Sequence, residues 1–303
     1  MLGSALRKQV KALLRNLPLA SGYLRTRDLQ KRFNVELSLI AGKDVATCDH
    51  PSIIHFSVNK AATQYIKRVL GQCAQQCGLV NVGIHDYAFQ GDFPYLDSLS
   101  APEMQAYQHI FRPQGYCYAV FGGMIDGVPN LDRYRLVLVL RDPRDVLVSS
   151  YFSVAFSHVA PGEGSEKREE FAQMRARAQA STIDEYVLAE SERVLDNYER
   201  YKRLLTDRYP GTYVTKYEHM TDDFAGWLKA LLGYCELDVP NALFTRLVQE
   251  HEAKRPRQEN AQQHTRKGKP GDHREKLQPE TIARLDAKFA NILKTFGYTL
   301  APV

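Results

Sequence analysis

The sequence predicts an α/β fold in which a central, mainly parallel sheet is flanked by helices. Between residues 53 and 140, short apolar runs alternate with segments of helical periodicity. This alternation is typical of parallel strands joined by right-handed crossovers. The chain has 303 residues, of which 44% are hydrophobic. That is enough to bury a substantial core, and the length favours one large domain over two.

The first predicted strand, residues 53–57, leads through a short connection of small residues into a helix that begins at Thr63. The connection contains a single lysine, Lys60, and the first turn of the helix carries hydroxyl and amide side chains. A strand, loop and helix of this kind form a cradle for phosphate. The loop lacks the G-x-x-x-x-G-K-[ST] pattern of a Walker A motif. An ordinary strand-to-helix turn with a solvated lysine is the alternative.

A second apolar run, residues 136–140, predicts a buried strand followed at once by the sequence RDPRDVLVS, which begins at Arg141. Asp142 suits the N-cap of a helix and Pro143 its first position. Arg141 is therefore expected beside a helix N-terminus, whose free N–H groups and dipole favour an anion. A guanidinium matches phosphate oxygens bidentately, and Ser149 adds a hydroxyl about two turns along the helix. The spacing indicates recognition of a phosphate ester, and a helix start with surface ion pairs is the alternative.

The later part of the chain is mainly helical in pattern. Residues 182–209 predict a long helix, residues 213–216 another strand and residues 279–296 a terminal helix. Before the terminal helix lies the basic segment RKGKPGDHREK, which begins at Arg266. On its own this composition is typical of a solvated linker, because it buries too little apolar surface to offset its ordering entropy.

Taken in order, these segments resemble the motifs of the sulfotransferase family. The loop NKAATQY, residues 59–65, resembles the family's 5′-phosphosulfate loop, usually Pro-Lys-Ser-Gly-Thr-Thr-Trp, and RDPRDVLVS resembles its 3′-phosphate motif. The sequence RKGKPGD is similar to the Arg-Lys-Gly-x-x-Gly-Asp segment of the cytosolic branch. The likeness covers roughly residues 51–298. Departures are Ala61-Ala62 in place of Ser-Gly, Asn59 in place of Pro and His273 in place of the frequent Trp.

The resemblance implies a P-loop-like three-layer fold and the donor 3′-phosphoadenosine 5′-phosphosulfate (PAPS), which leaves as adenosine 3′,5′-bisphosphate (PAP). By matching of positions, Lys60 would contact the bridging and 5′-phosphate oxygens and act in catalysis. The same phosphate would be bound by the rest of the loop: Ala61, Ala62, Thr63 and Gln64. The 3′-phosphate would be held by Arg141, Ser149, Arg266, Lys267 and Gly268. The adenine would be contacted by Tyr65 and Tyr217. No metal is expected.

The general base is not fixed by the resemblance. Cytosolic members place a His before the Arg motif, but the corresponding residues 116–123 contain none. Other branches place a Glu near the end of the next strand after the phosphosulfate loop. Here that strand is predicted over residues 79–86, and His85 and Asp86 fall at about that location. His85 is the first candidate, because an unperturbed pKa of about 6.5 suits proton abstraction near neutrality. Asp86 is the second, since it needs burial to raise its pKa. A role for both as turn residues is the alternative.

Two regions are candidates for the acceptor pocket. Residues 89–114 are irregular and rich in aromatic side chains, which either line a pocket or belong to the core. Residues 155–179 form an interrupted segment that suits a lid or an acceptor loop. The sequence does not specify the acceptor or the oligomeric state.

Composition limits the partners and the compartment. A net charge of +5 favours anionic ligands but is too small to indicate a nucleic-acid binder. Five cysteines without framework spacing predict reduced thiols and a cytoplasmic location. No run approaches the ~18 apolar residues of a membrane span. Residues 1–19 form a basic amphipathic pattern, a candidate for weak contact with a membrane surface or for packing on the domain.

We therefore expect an N-terminal helical extension at residues 1–50 and a single sulfotransferase domain at residues 51–303. The expected activity is in-line transfer of a sulfuryl group from PAPS to a hydroxyl or amine of a small-molecule, glycan or lipid acceptor. Positioning and charge stabilisation would supply most of the acceleration. The alternatives are a non-catalytic PAPS- or PAP-binding protein and a P-loop kinase.

Overall fold

The computed structural model describes residues 27–91, 93–157, 166–254 and 269–299. Its centre is a five-stranded sheet in which every pair of neighbouring strands is parallel. The strands are β1 (Ile53–Ser57), β2 (Val80–Val82), β3 (Tyr116–Phe121), β4 (Arg135–Leu140) and β5 (Tyr213–Lys216). Their order across the sheet is β2-β3-β1-β4-β5. The predicted α/β fold with a parallel sheet is confirmed.

Helices flank this sheet. In chain order they are α1 (Asn34–Ile40), α2 (Thr63–Gln76), α3 (Ile84–Gln90), α4 (Ala101–Met104), α5 (Pro143–Phe152), α6 (Glu166–Ala180), α7 (Ile183–Tyr201), α8 (Tyr217–Asp222), α9 (Phe224–Cys235), α10 (Asn241–Ala253), α11 (Asp272–Lys276) and α12 (Pro279–Thr295). The aromatic stretch between β2 and β3 forms short helical pieces, including 3₁₀ turns at Leu96–Ser98 and Gln105–Ile110. Among the described residues, no helix has the length and apolarity needed to cross a bilayer.

The core lies on the three central strands. All of β1 and β3, and β4 beyond its first residue, are buried. Strands covered on both faces by helices show continuous apolar runs rather than alternation, as VLVL at residues 137–140 does. All five cysteines are free thiols, and three of them are buried.

The strand order fixes where a ligand can bind. From β1 the chain moves to one side of the sheet and forms β2 and β3, whereas from β4 it moves to the other side and forms β5. β1 and β4 are direct neighbours, with Ser57 opposite Val139. The connections that leave their carboxyl ends therefore diverge and leave a crevice between them. In open α/β sheets such a switch point is where ligands bind.

Local sequence signals account for the helices on either side of this crevice. Asp142 caps α5 by accepting a hydrogen bond from the Arg144 N–H at 3.0 Å, and Pro143 occupies the first position, as the sequence predicts. α7 begins with a reciprocal capping box between Thr182 and Glu185. The helix predicted over residues 182–209 ends earlier, in a π-helical turn at Lys202–Thr206.

The predicted division of the chain stays a prediction. α1 falls within the proposed N-terminal extension, and its Leu39 is fully buried. The basic pattern at residues 1–19 lies outside the described residues.

Candidate active site

A cavity of about 580 Å³ opens where the β1–α2 and β4–α5 connections meet. It is lined from both sides by residues that the sequence assigns to the nucleotide: Lys60, Ala62, Thr63, Gln64, Tyr65, Arg141, Ser149 and Tyr217. Ala61 is fully buried and does not line the cavity. The fold thus brings together segments that are about 80 residues apart in the chain, as the hydrogen bond from Arg141 to the Lys60 carbonyl shows.

The β1–α2 loop has an unusual backbone. Lys60 has φ of 72° and Ala62 has φ of 58°, so both lie in the left-handed region without being glycine. Such conformations cost on the order of 1–3 kcal/mol each and persist where the surrounding structure holds them. The Ala62 side chain cannot cap α2. The first N–H groups of that helix are therefore left to an anionic ligand.

Two cations, one from each connection, meet at this loop: Lys60 and Arg141. The guanidinium of Arg141 donates from Nη1 to the Lys60 carbonyl at 2.8 Å. Burial, together with the charge of Arg141, lowers the pKa of Lys60 to about 8. An ammonium beside a second cation is poised to gain from an anion placed between them. The site is therefore electrostatically prepared for phosphate.

The guanidinium of Arg141 is held on several sides. It lies over the Tyr217 ring, with 4.4 Å from the Arg141 Cζ to the ring centroid. Its Nη2 is 3.8 Å from the buried carboxylate of Asp145. The Tyr198 hydroxyl donates to the Arg141 carbonyl. Only 5% of Arg141 is exposed, so its position is set by these contacts rather than by solvent.

A buried ionic network lies behind this connection. Arg144 is fully buried and binds Asp142 through Nε and Nη2, at 2.9 and 2.6 Å. Its Nη1 donates to Asp286 of α12 at 2.5 Å, and its Nη2 also donates to the Thr299 carbonyl. Glu218 accepts the Asp142 N–H at 2.9 Å, and burial raises the pKa of that glutamate. The network ties the Arg141 connection to α8 and to the C-terminal helix α12.

One end of the cavity is aromatic. The Tyr65 hydroxyl and Nδ1 of His251 lie 2.9 Å apart, although the two residues are 186 positions apart in the chain. The His251 ring stacks on Phe224 with 4.0 Å between centroids and an angle of 1° between planes. Together with Tyr217 these rings suit a flat, apolar base such as adenine. Sequence reasoning missed His251, because a single histidine inside a helix gives no signal.

The cavity is also lined by residues that have no predicted contact with the nucleotide. They come from the end of α5, the π-helical turn that follows it, α6 and α7: Ser150, Ser153, Val154, Phe171, Met174, Arg193, Val194 and Asn197. Part of the predicted lid segment, residues 155–179, thus contributes a wall through Phe171 and Met174. The aromatic residues of 89–114 do not line this cavity.

The two candidate bases do not line the cavity either. Asp86 forms an ion pair with Lys67. Nδ1 of His85 lies 3.7 Å from Oδ2 of Asp97, which also accepts the Gly123 N–H at 2.9 Å. Asp97 was not predicted, since nothing in its local sequence marks it.

A short chain of contacts joins His85 to the cavity. Gly123, bound by Asp97, follows Gly122, whose carbonyl accepts a hydrogen bond from Asn197 at 3.2 Å. Asn197 lines the cavity. The His85–Asp97 pair is therefore linked to the cavity wall through the Gly122-Gly123 turn.

Arg266, Lys267 and Gly268 lie outside the described residues. The residues that follow them do reach the site, since Lys269 and Asp272 line the cavity. Gly271 and His273 are bound to Asp145 on α5. The C-terminal segment therefore approaches the same cavity as the two strand-to-helix connections.

Fold and site together define an α/β enzyme that binds a phosphorylated nucleotide at the switch point of a parallel sheet. Residues 130–297 match the family model of the sulfotransferase domain. This match covers more than half of the chain, which therefore belongs to the sulfotransferase domain family. The predicted class of enzyme, a PAPS-dependent sulfotransferase, is confirmed, and the kinase and binding-only alternatives are not favoured.

Comparison with solved structures shows the same fold. Retinol dehydratase, solved in complex with retinol and PAP, is similar over 92% of this chain and 88% of its own, with 16% identity and a TM-score of 0.50. Mouse sulfotransferase SULT7A1, complexed with PAP, is similar over 86% and 88%, with 15% identity and a TM-score of 0.48. A search of curated proteins finds no significant sequence match.

Proposed function

We propose that this sulfotransferase binds PAPS between the β1–α2 and β4–α5 connections and transfers its sulfuryl group to a hydroxyl of a small acceptor with an apolar body. The observation that carries the proposal is the convergence of Lys60 and Arg141, which lie at the ends of neighbouring strands, in one cavity. Lys60, Thr63 and the first N–H groups of α2 take the 5′-phosphosulfate. Arg141 and Ser149 take the 3′-phosphate, together with Arg266, Lys267 and Gly268.

The proposed reaction is an in-line displacement at sulfur. The bond between sulfur and the bridging phosphate oxygen breaks while a bond from sulfur to the acceptor oxygen forms. The bridging oxygen keeps the electron pair and leaves with PAP, and the Lys60 ammonium stabilises the charge that develops there. The acceptor proton passes to a base, which contributes on the order of 10²–10⁴ in rate.

The class of acceptor is inferred from the cavity-lining residues that are not assigned to the nucleotide. Val154, Phe171, Met174 and Val194 give it an apolar face, and Ser150, Ser153 and Asn197 add a few polar groups. Apolar walls with few polar groups are typical of small-molecule sites. Retinol, a small apolar alcohol, is the ligand named for the retinol dehydratase structure, and the lining here suits an acceptor of that kind. A phenol or an apolar alcohol is therefore the proposed acceptor, in preference to a glycan.

We propose His85 as the base, with the Asp97 carboxylate 3.7 Å from its Nδ1 as a neighbouring anion. An imidazole beside a carboxylate is the usual arrangement for proton abstraction near neutrality. The proposal requires the Gly122-Gly123 turn to admit the acceptor hydroxyl to His85. Asp86 is the second choice, because its carboxylate is engaged by Lys67. The cytoplasmic location also stays a prediction, based on the cysteine pattern.

The test is a transfer assay with PAPS and a panel of phenols and apolar alcohols, without added metal, and with ATP and Mg²⁺ as the comparison donor. We expect sulfated product from PAPS alone, and no transfer from PAPS to any of these acceptors would contradict the proposal.

In the same assay we expect His85→Ala to lower turnover about 10²-fold near neutral pH. His109→Ala is the matched control, because that histidine binds only the Ile40 carbonyl at the surface. Unchanged turnover in His85→Ala would remove His85 as the base and turn the test to Asp86→Asn.

A further inference from the structure

A buried carboxylate outside the cavity joins α5, which follows Arg141, to the segment at residues 271–273. Asp145 lies on α5, one turn beyond Arg141, and its side chain is 1% exposed. Oδ2 accepts the Gly271 N–H at 2.6 Å. Oδ1 accepts the His273 N–H at 3.0 Å and lies 2.7 Å from Nδ1 of the same histidine. One carboxylate thus binds three groups of a segment 126 to 128 residues away in the chain.

The ionisation of Asp145 shows which group donates the hydrogen bond between Asp145 and His273. Burial alone would raise the pKa of Asp145, but the hydrogen bond from His273 and the charge of Arg141 together hold the pKa well below its usual range. An ionised carboxylate only accepts hydrogen bonds, so Nδ1 of His273 must carry the proton and donate it. The His273 side chain is 2% exposed, and its Nε2 has no partner among the described residues.

The same carboxylate lies beside the proposed phosphate ligand Arg141. Nη2 of Arg141 is 3.8 Å from Oδ2 of Asp145, and Arg141 lines the cavity whereas Asp145 does not. Gly271 has φ of 92°, a conformation that suits glycine, and it directly precedes the cavity residue Asp272. Arg266, Lys267 and Gly268 come a few residues earlier in the sequence. Asp145 therefore fixes both the arginine and the end of the C-terminal segment.

We propose that Asp145 and His273 form a latch that positions Arg141 and the segment at residues 271–273 for binding of the 3′-phosphate of the nucleotide. Asp145 is a positioning residue, since it acts through Arg141 and Gly271 and does not line the cavity. The inference rests on the proposed function and adds a determinant of selectivity for nucleotides that carry a 3′-phosphate.

The test compares two nucleotides that differ only in the 3′-phosphate. PAP and adenosine 5′-monophosphate are titrated into the full-length protein by calorimetry, and KM for PAPS and kcat are measured in parallel. In Asp145→Asn we expect PAP affinity to fall about tenfold or more while adenosine 5′-monophosphate affinity changes less than about threefold. KM for PAPS should rise with PAP Kd, and kcat at saturating PAPS should stay within about threefold.

A pair of substitutions at His273 keeps the test decisive if Asp145→Asn folds poorly. The amide nitrogen of His273→Asn can replace Nδ1 as the donor, so this variant should retain the preference for PAP. His273→Leu has no side-chain donor, so this variant should lose the preference for PAP over adenosine 5′-monophosphate. Glu36→Gln is the matched control, because Glu36 is also a buried carboxylate that accepts a backbone N–H, from Gly83 at 2.6 Å, but does not line the cavity.

Two results would overturn the latch. One is an equal loss of affinity for both nucleotides in Asp145→Asn, which indicates a general structural role. The other is an unchanged preference for PAP in both Asp145→Asn and His273→Leu. Failure of the unaltered protein to bind PAP at all would instead overturn the proposed function, and the latch with it.

Discussion

The two strand-to-helix connections that form the cavity are built in opposite ways. The β1–α2 loop has two non-glycine residues in the left-handed region, Lys60 and Ala62, and its helix has no side-chain cap from Ala62. The β4–α5 connection has a capped helix, and the fully buried Arg144 binds two carboxylates there. The first connection is strained and carries a cation whose pKa is lowered. The second is fixed by compensated charges.

The difference matches what each connection is proposed to do. Charge changes at the 5′-phosphosulfate during transfer, so groups there gain most by being unsatisfied until the nucleotide arrives. The 3′-phosphate keeps its charge throughout the reaction, so it needs only binding groups that are held in fixed positions. Strain and charge repulsion are therefore concentrated where the chemistry takes place, and rigidity where the nucleotide is held.

Removal of the ammonium of Lys60 tests whether the β1–α2 loop carries the cation that acts in the transfer. It has the largest expected effect of these predictions. Lys60→Met should lower kcat by on the order of 10³-fold, because the charge on the leaving oxygen loses its partner. The same variant should be more stable than the unaltered protein by about 1–3 kcal/mol at pH 7, since a buried ammonium is removed.

The pH dependence gives the sign of that stability change. The pKa of Lys60 is lowered from 10.5 to about 8 in the fold, so its destabilising effect is full below about pH 8 and disappears as pH rises towards 10.5. Urea unfolding at pH 7 and pH 10 measures both values. Lys229→Met, on the exposed face of α9, is the control. Unimpaired transfer in Lys60→Met would contradict the assigned role.

Loss of the buried guanidinium of Arg144 tests whether the β4–α5 connection is fixed by compensated charges. Arg144→Leu leaves Asp142 and Asp286 without their common partner, and it should lower the free energy of unfolding by about 3–5 kcal/mol. Arg246→Leu, which removes an exposed contact of 3.9 Å with Glu250, should cost no more than about 0.5 kcal/mol. Urea denaturation compares the two. Similar small losses in both variants would show that the second connection is not held by its ionic network.

The pH dependence of PAP affinity has the smallest expected effect. A bound phosphate favours the charged form of Lys60, so PAP binding above pH 8 requires uptake of a proton. The Kd for PAP should therefore be nearly constant between pH 7 and about pH 8 and then rise by up to about tenfold per pH unit. Calorimetry at a series of pH values measures it. Lys60→Met should bind PAP without this dependence, and an identical pH profile in the variant would assign the proton to another group.

Much of the nucleotide side could be predicted from the sequence because its signals are local. Asp142 and Pro143 mark the start of α5 by the ordinary rules for helix ends, and apolar runs mark the central strands. Even so, the β1–α2 loop is a poor match to glycine-rich phosphate loops. Ala62 adopts a backbone conformation that a glycine usually supplies, so the residue type hides the geometry.

The remaining features depend on contacts between distant parts of the chain. His251 meets Tyr65 across 186 residues, and His273 meets Asp145 across 128. Periodicity and motif spacing carry no information on such pairs. His85 was predicted near the end of the second strand, but β2 ends at Val82 and His85 lies in the first turn of α3. Its neighbour Asp97 and its distance from the cavity wall depend on how an irregular segment packs. Of the proposed acceptor wall, only the segment at residues 155–179 was a candidate from the sequence, for the same reason.

The central claim is that the two connections act together on one nucleotide with two phosphates. Calorimetry with PAP, adenosine 5′-monophosphate and adenosine 3′-monophosphate tests it most directly. Each phosphate that gains charged hydrogen bonds should add about 1.5–3 kcal/mol, so PAP should bind one to one and at least about tenfold more tightly than either monophosphate. A folded protein that gives no heat with PAP, or that binds PAP no more tightly than the better monophosphate, would contradict the account.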